Sequence, residues 1–81
     1  MADAVLTRVR RIVGALFEVP VEQIDEATSS KTLERWDSMG HLSLILELEQ
    51  EFGVALPPEQ VEKMLDVGSI VKVLESKSTP A

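Results

Sequence analysis

The side chains best suited to chemistry in this 81-residue chain lie together, in the string Trp36-Asp37-Ser38-Met39-Gly40-His41. Ser38 offers a hydroxyl nucleophile and His41 a base three residues on, the pairing a serine hydrolase uses. The surrounding residues argue against hydrolysis. A nucleophile elbow requires Gly-x-Ser-x-Gly, and Trp36 occupies the first glycine position although Gly40 keeps the second. On one helical turn His41 would project about 60° away from Ser38, and no neighbouring residue supplies an oxyanion hole. His41 is expected instead as a half-buried polar residue beneath a loop. A metal centre lacks donors, because there is one histidine, no cysteine, no ligand-like cluster of carboxylates and no EF-hand pattern. No residue is therefore assigned to catalysis or to a metal. Without cysteine, any thiol chemistry must arrive on a cofactor.

Size and charge narrow the function classes further. A chain of 81 residues makes one small domain, and such a domain buries roughly 60% of the surface its unfolded state exposes, so a deep enzyme cleft is not expected. The net charge of −6 is concentrated in the middle: from Glu18 to Asp66 there are twelve acidic residues against three basic ones. That acidity repels a phosphate backbone and excludes nucleic acid as a partner. It favours proteins with basic docking patches, and it also keeps a small domain soluble. The opening Met-Ala-Asp-Ala lacks the basic region and unbroken apolar run of a signal peptide, and no apolar run approaches the roughly 20 residues of a membrane helix. These features lead to the expectation of a soluble, cytoplasmic protein.

Hydrophobic spacing supplies the elements that must hold Ser38. Val5, Val9, Ile12, Val13 and Leu16 share one face of a helix from about Asp3, a candidate cap, to Phe17. Pro20 prevents its continuation. Residues 18–37 then form a long polar connection, with Val21, Ile24 and Leu33 able to dip into the core and Trp36 anchoring its end by packing. A second helix runs from Ser38 to about Phe52 and stops at Gly53. Its apolar positions span an arc of about 220°, roughly twice what a surface helix buries. Leu44, Leu48 and Phe52 are assigned to the interior, with Ile45 on the same side. Met39, Leu42 and Leu46 form a partly exposed strip beside the serine, suited to docking. Glu47, Glu49 and Glu51 add negative charge outside the core line.

Pro57 and Pro58 enforce an extended link before a short helix from Glu59 to about Leu65, with Val61, Met64 and Leu65 inward. A turn leads to Ser69, a candidate cap for a last helix to about Ser76 built on Ile70, Val71, Val73 and Leu74. The expected architecture is all-α: a small bundle of three main helices plus one short helix, in a single domain over residues 1–76, with a disordered tail at 77–81.

Asp37-Ser38-Met39 at a loop-to-helix junction, followed by Leu42, Leu44 to Leu46, Leu48 and the acidic run to Phe52-Gly53, resembles the acyl carrier protein family. The Glu-x-Glu-Phe-Gly segment and the closing Val-Gly-Ser-Ile-Val turn belong to the same likeness, which covers nearly the whole chain. Methionine stands in the leucine place of the family's Asp-Ser-Leu motif. The resemblance implies that Ser38 is esterified by 4′-phosphopantetheine from coenzyme A, in a magnesium-dependent transferase reaction. Asp37 would serve recognition or capping, and Met39, Leu42, Ser43, Leu46 and Glu47 would face partners. Those partners are the phosphopantetheinyl transferase and the biosynthetic enzymes that load and transfer acyl or aminoacyl thioesters. The carrier is expected to be a monomer and not an enzyme, of the kind used in fatty acid and lipid metabolism.

Two positions depart from the common fatty-acid-synthesis pattern. Gly40 stands where an acidic residue or asparagine often follows the motif, and Ser43 where a glutamate frequently faces partners. The Trp-Asp-Ser-Met-Gly-His string looks more like specialised carriers serving dedicated pathways. The competing expectation is an unmodified helical adaptor that docks through Met39, Leu42 and Leu46.

Overall fold

Proline and glycine punctuate the chain into four helices among the residues described by the computed structural model, 2–78. They are α1 (Ala2–Phe17), α2 (Ser38–Phe52), α3 (Pro58–Val61) and α4 (Val67–Ser78), giving the all-α bundle expected. The Asp3 side chain and residues 79–81 lie outside the described residues, and so does the proposed Asp3 cap. α4 reaches Ser78, two residues beyond its expected end.

α1 packs against both α4 and α2. Val9, Val13 and Phe17 of α1 meet Leu44, Ile45 and Leu48 of α2 and Ile70, Val71 and Leu74 of α4 in one buried cluster. Phe52, expected inside, is only half-buried. The Arg8 guanidinium lies 4.1 Å above its ring and donates to both the carboxylate (2.8 Å) and the carbonyl (2.9 Å) of Glu51. That end of α2 therefore carries less free negative charge than the sequence suggests. Glu49 is also engaged, its carboxylate accepting the Leu56 N–H at 2.9 Å and so fixing the extended link after α2.

Both long helices end in Schellman turns. At α2, Gly53 adopts φ 62° while Val54 N–H reaches Glu49 O, the left-handed stop that glycine makes without steric cost. At α1, Glu18 takes the same conformation (φ 58°), with Val19 N–H bonded to Gly14 O.

The connection from 18 to 37 is pinned at intervals. A 3₁₀ turn at Val21–Gln23 is held to α1 by Arg10, which donates to Val21 O at 2.7 Å. Ile24 drops into the core as expected, whereas Val21 and Leu33 are half-buried. Further on, the backbone pairs with the segment before α4. Ser30 N–H bonds to Leu65 O, Val67 N–H to Thr28 O and Gly68 N–H to Glu26 O, around an antiparallel bridge between Ser29 and Asp66. These bonds satisfy backbone groups that a free loop would leave to water.

That pairing accounts for two corrections near the C-terminal end. Leu65 does not point inward: α3 ends at Val61, and a turn places Met64 in the core while Leu65 is 45% exposed. α4 begins at Val67 rather than after Ser69, because the Asp66 carboxylate accepts the Ser69 N–H at 2.7 Å and so takes the capping role expected of Ser69 itself.

Candidate functional site

Ser38 is the first residue of α2, exposed, directly after the extended cap residue Asp37. The Asp37 carboxylate accepts the Gly40 N–H at 2.8 Å, and Asp37 O accepts the first intrahelical bond, from His41 N at 2.8 Å. Such a cap stabilises a helix by about 1 kcal/mol. It leaves the N–H groups of Ser38 and Met39 without an acceptor among the described residues, at the positive end of the helix dipole. A phosphodiester on the Ser38 hydroxyl fits this position, because its anionic oxygens would lie beside unsatisfied backbone donors.

Gly40 holds the loop end against the helix. A Cβ built there would lie 2.3 Å from Arg35 O and 2.9 Å from the Phe17 ring, so the backbone before the serine crosses α2 where only glycine leaves room. The absence of a charged residue at this position follows from that crossing. Gly40→Ala should lower unfolding free energy by about 1–3 kcal/mol, the usual cost of overpacking. Urea denaturation measures the loss.

Trp36 and His41 explain how the loop end is kept in place. Trp36 is buried and stacks on Phe17 (centroids 5.6 Å apart, planes at 22°). Its indole N–H donates to His41 Nδ1 at 2.9 Å, which makes Nε2 the protonated nitrogen, and that group donates to Val61 O at 2.9 Å. Both imidazole nitrogens are thus occupied, so His41 has no lone pair to offer Ser38. The hydrolase pairing fails on geometry as well as on sequence.

Met39, Leu42 and Leu46 are 76%, 60% and 60% exposed. Ser43 and Glu47 are exposed further round α2, toward α1, Ser43 near Leu16 and Arg35 and Glu47 near Arg8, Arg11 and Ile12. Leu42 faces the other way, into a groove of about 530 Å³ that also contains Ser30, Trp36, Asp37, Ser38, His41 and Leu65. Leu65 is the groove residue that sequence reasoning misses. Its spacing of four from Val61 imitates a buried helical face, and no side-chain signal marks the backbone pairing that turns it outward.

Comparison with known proteins agrees with this geometry. Residues 7–74 match a family model described as "Phosphopantetheine attachment site". The chain is 39% identical over 72 residues to the acyl carrier protein of Helicobacter acinonychis (strain Sheeba), covering 75% of this chain and 92% of that protein. It is 36% identical over 73 residues to the acyl carrier protein of Helicobacter pylori (strain G27), covering 89% and 92% respectively. The solved acyl carrier protein of Enterococcus faecalis matches with a TM-score of 0.78 at 32% identity, over 96% of this chain and 99% of that one. With the family model spanning most of its length and these relatives matched nearly end to end, the chain belongs to the acyl carrier protein family, non-catalytic carriers with a covalently attached 4′-phosphopantetheine.

Proposed function

We propose that Ser38 is the attachment point of the 4′-phosphopantetheine arm, and that the exposed arc of α2 together with Leu65 receives the enzymes that load and unload it. The observation that carries this reading is the exposed hydroxyl at the first position of α2, beside the unpaired N–H groups of Ser38 and Met39. In the modification, the serine oxygen replaces the adenosine bisphosphate half of coenzyme A at the pantetheine-bearing phosphorus. Because His41 is fully engaged, the base that takes the hydroxyl proton belongs to the transferase.

When attached, the arm supplies the thiol that the chain lacks and holds acyl or aminoacyl groups as thioesters. The protein's own part is to keep Ser38 on a rigid helix end and to offer a docking face. Asp37 supports that role by capping the helix, although its carboxylate opposes the phosphate by charge, so its further role is in recognition by the transferase. Met39, Leu42 and Leu46 supply the apolar contact, with Ser43 and Glu47 at its α1-side edge. The acidic middle of the chain selects enzymes with basic docking patches.

The carrier acts as a cytoplasmic monomer with one folded unit over residues 2–78. Support for one unit comes from the single core cluster and a radius of gyration of 11.5 Å, close to the ~11.7 Å expected of a compact domain this size. No helix among the described residues is long and apolar enough to cross a membrane. The unmodified-adaptor alternative is not favoured, since the family match rests on the attachment site itself.

Peptide mapping tests the site. After incubation with coenzyme A, magnesium and a broad-specificity phosphopantetheinyl transferase, the tryptic peptide from Trp36 to Lys63 should gain the arm. Fragment ions should place it on Ser38 and leave Ser43 unmodified.

A further inference from the structure

The groove that begins at Ser38 is separated from the hydrophobic core by two closures. At its outer edge the loop and the segment before α4 are joined by the Ser30–Leu65 backbone bond. At its floor stand Trp36 and His41, and the core residues Leu44, Ile45, Leu48 and Met64 are buried within. His41 is the direct link across the seam between α2 and α3, anchored by Trp36 on one nitrogen and by Val61 O on the other. The stacked rings of Phe17, Trp36 and His41 continue that link from α1.

We propose that His41 is a latch that keeps tethered cargo out of the core, so that the acyl group stays in the outer groove among Trp36, Leu42 and Leu65 or in solvent; this rests on Ser38 bearing the arm. An apolar chain would gain by entering the core. To do so it must part α2 from α3, which breaks the bond from His41 Nε2 to Val61 O and leaves a donor and an acceptor unpaired at the seam. Trp36 holds the other ring nitrogen and keeps the imidazole in place. The chain's own hydrogen bonds thereby set a preference for short or polar acyl groups, which gain least from burial.

The test uses octanoyl-coenzyme A with magnesium and the transferase, with intact mass confirming loading. Methyl NMR then compares octanoyl and arm-only forms at Ile45, Leu48 and Met64. In the wild type these resonances should coincide and the melting temperatures should match. In His41→Ala, octanoylation should displace the core methyl resonances and raise the melting temperature above that of the arm-only variant. Should His41→Ala fail to fold, Trp36→Phe, which deletes the indole N–H but keeps a ring, should show the same displacement to a smaller extent.

Core displacement by octanoyl in the wild type would overturn the latch, as would its absence from a folded variant. If no mass is gained, the Ser38 assignment fails separately. The latch is then read from unmodified protein titrated with free octanoyl-pantetheine, with the same contrast expected between wild type and variant.

Discussion

Trp36→Ala is expected to lower the unfolding free energy by about 3–5 kcal/mol, the usual cost of deleting a buried aromatic side chain. The indole fills the space between the loop end and α1, stacked on Phe17, and it is the donor that satisfies His41 Nδ1. Removing it opens a cavity and leaves that nitrogen without its partner. A domain of this length has about 4–12 kcal/mol of stability in total, so the loss is a large share of what holds the fold. Urea denaturation followed by circular dichroism measures the loss. Trp36→Phe, which keeps a ring in the cavity, should recover much of it. An alanine variant as stable as the wild type would show that the tryptophan is not what holds the loop end.

The two faces of α2 should separate in a paired substitution. Leu48 is fully buried, and Leu48→Ala should cost about 2–5 kcal/mol. Leu46, 60% exposed, lies two residues away, and Leu46→Ala should change stability by no more than about 0.5 kcal/mol. Partner function should show the reverse ranking. Leu46→Ala should slow transfer of acyl groups from a loading enzyme, whereas Leu48→Ala, assayed at a temperature where it remains folded, should transfer at a rate nearer the wild type. Thermal melts and transfer rates on the same preparations give both numbers. Unstable Leu46→Ala beside stable Leu48→Ala would mean that the assigned faces are exchanged.

What the sequence made legible was mostly what side-chain periodicity encodes. α2 was bounded correctly from Ser38 to Phe52, because Gly53 stops it and the polar loop ends at a good capping residue. Its excess of apolar positions correctly marked Met39, Leu42 and Leu46 as exposed, since the arc was wider than one buried face requires. Ile24 and Trp36 were identifiable as anchors because they are isolated apolar residues in a polar stretch.

The features missed are backbone features. The pairing of residues 26–30 with 65–68 leaves no pattern in side-chain type, yet it turns Leu65 outward. Asp66, Gly68 and Ser69 are all turn formers, so composition could not say which of them caps α4. Gly40 suggested a missing partner contact, whereas the Arg35 carbonyl lying against it supplies a steric reason for glycine. The candidate site was therefore easier to pick out than the backbone contacts that restrain it. Ser38 stood out by its position at a junction, while the bonds from Trp36 through His41 to Val61 appear only once the chain is folded.

Intact mass spectrometry tests the central claim most directly. Wild-type protein and Ser38→Ala are incubated in parallel with coenzyme A, magnesium and a broad-specificity phosphopantetheinyl transferase. Ser38→Ala removes an exposed hydroxyl that makes no hydrogen bond among the described residues, so the variant should stay folded. The wild type should gain the mass of one 4′-phosphopantetheine group and Ser38→Ala none. No gain in the wild type, or an equal gain in the variant, would contradict the assignment of Ser38 as the attachment point.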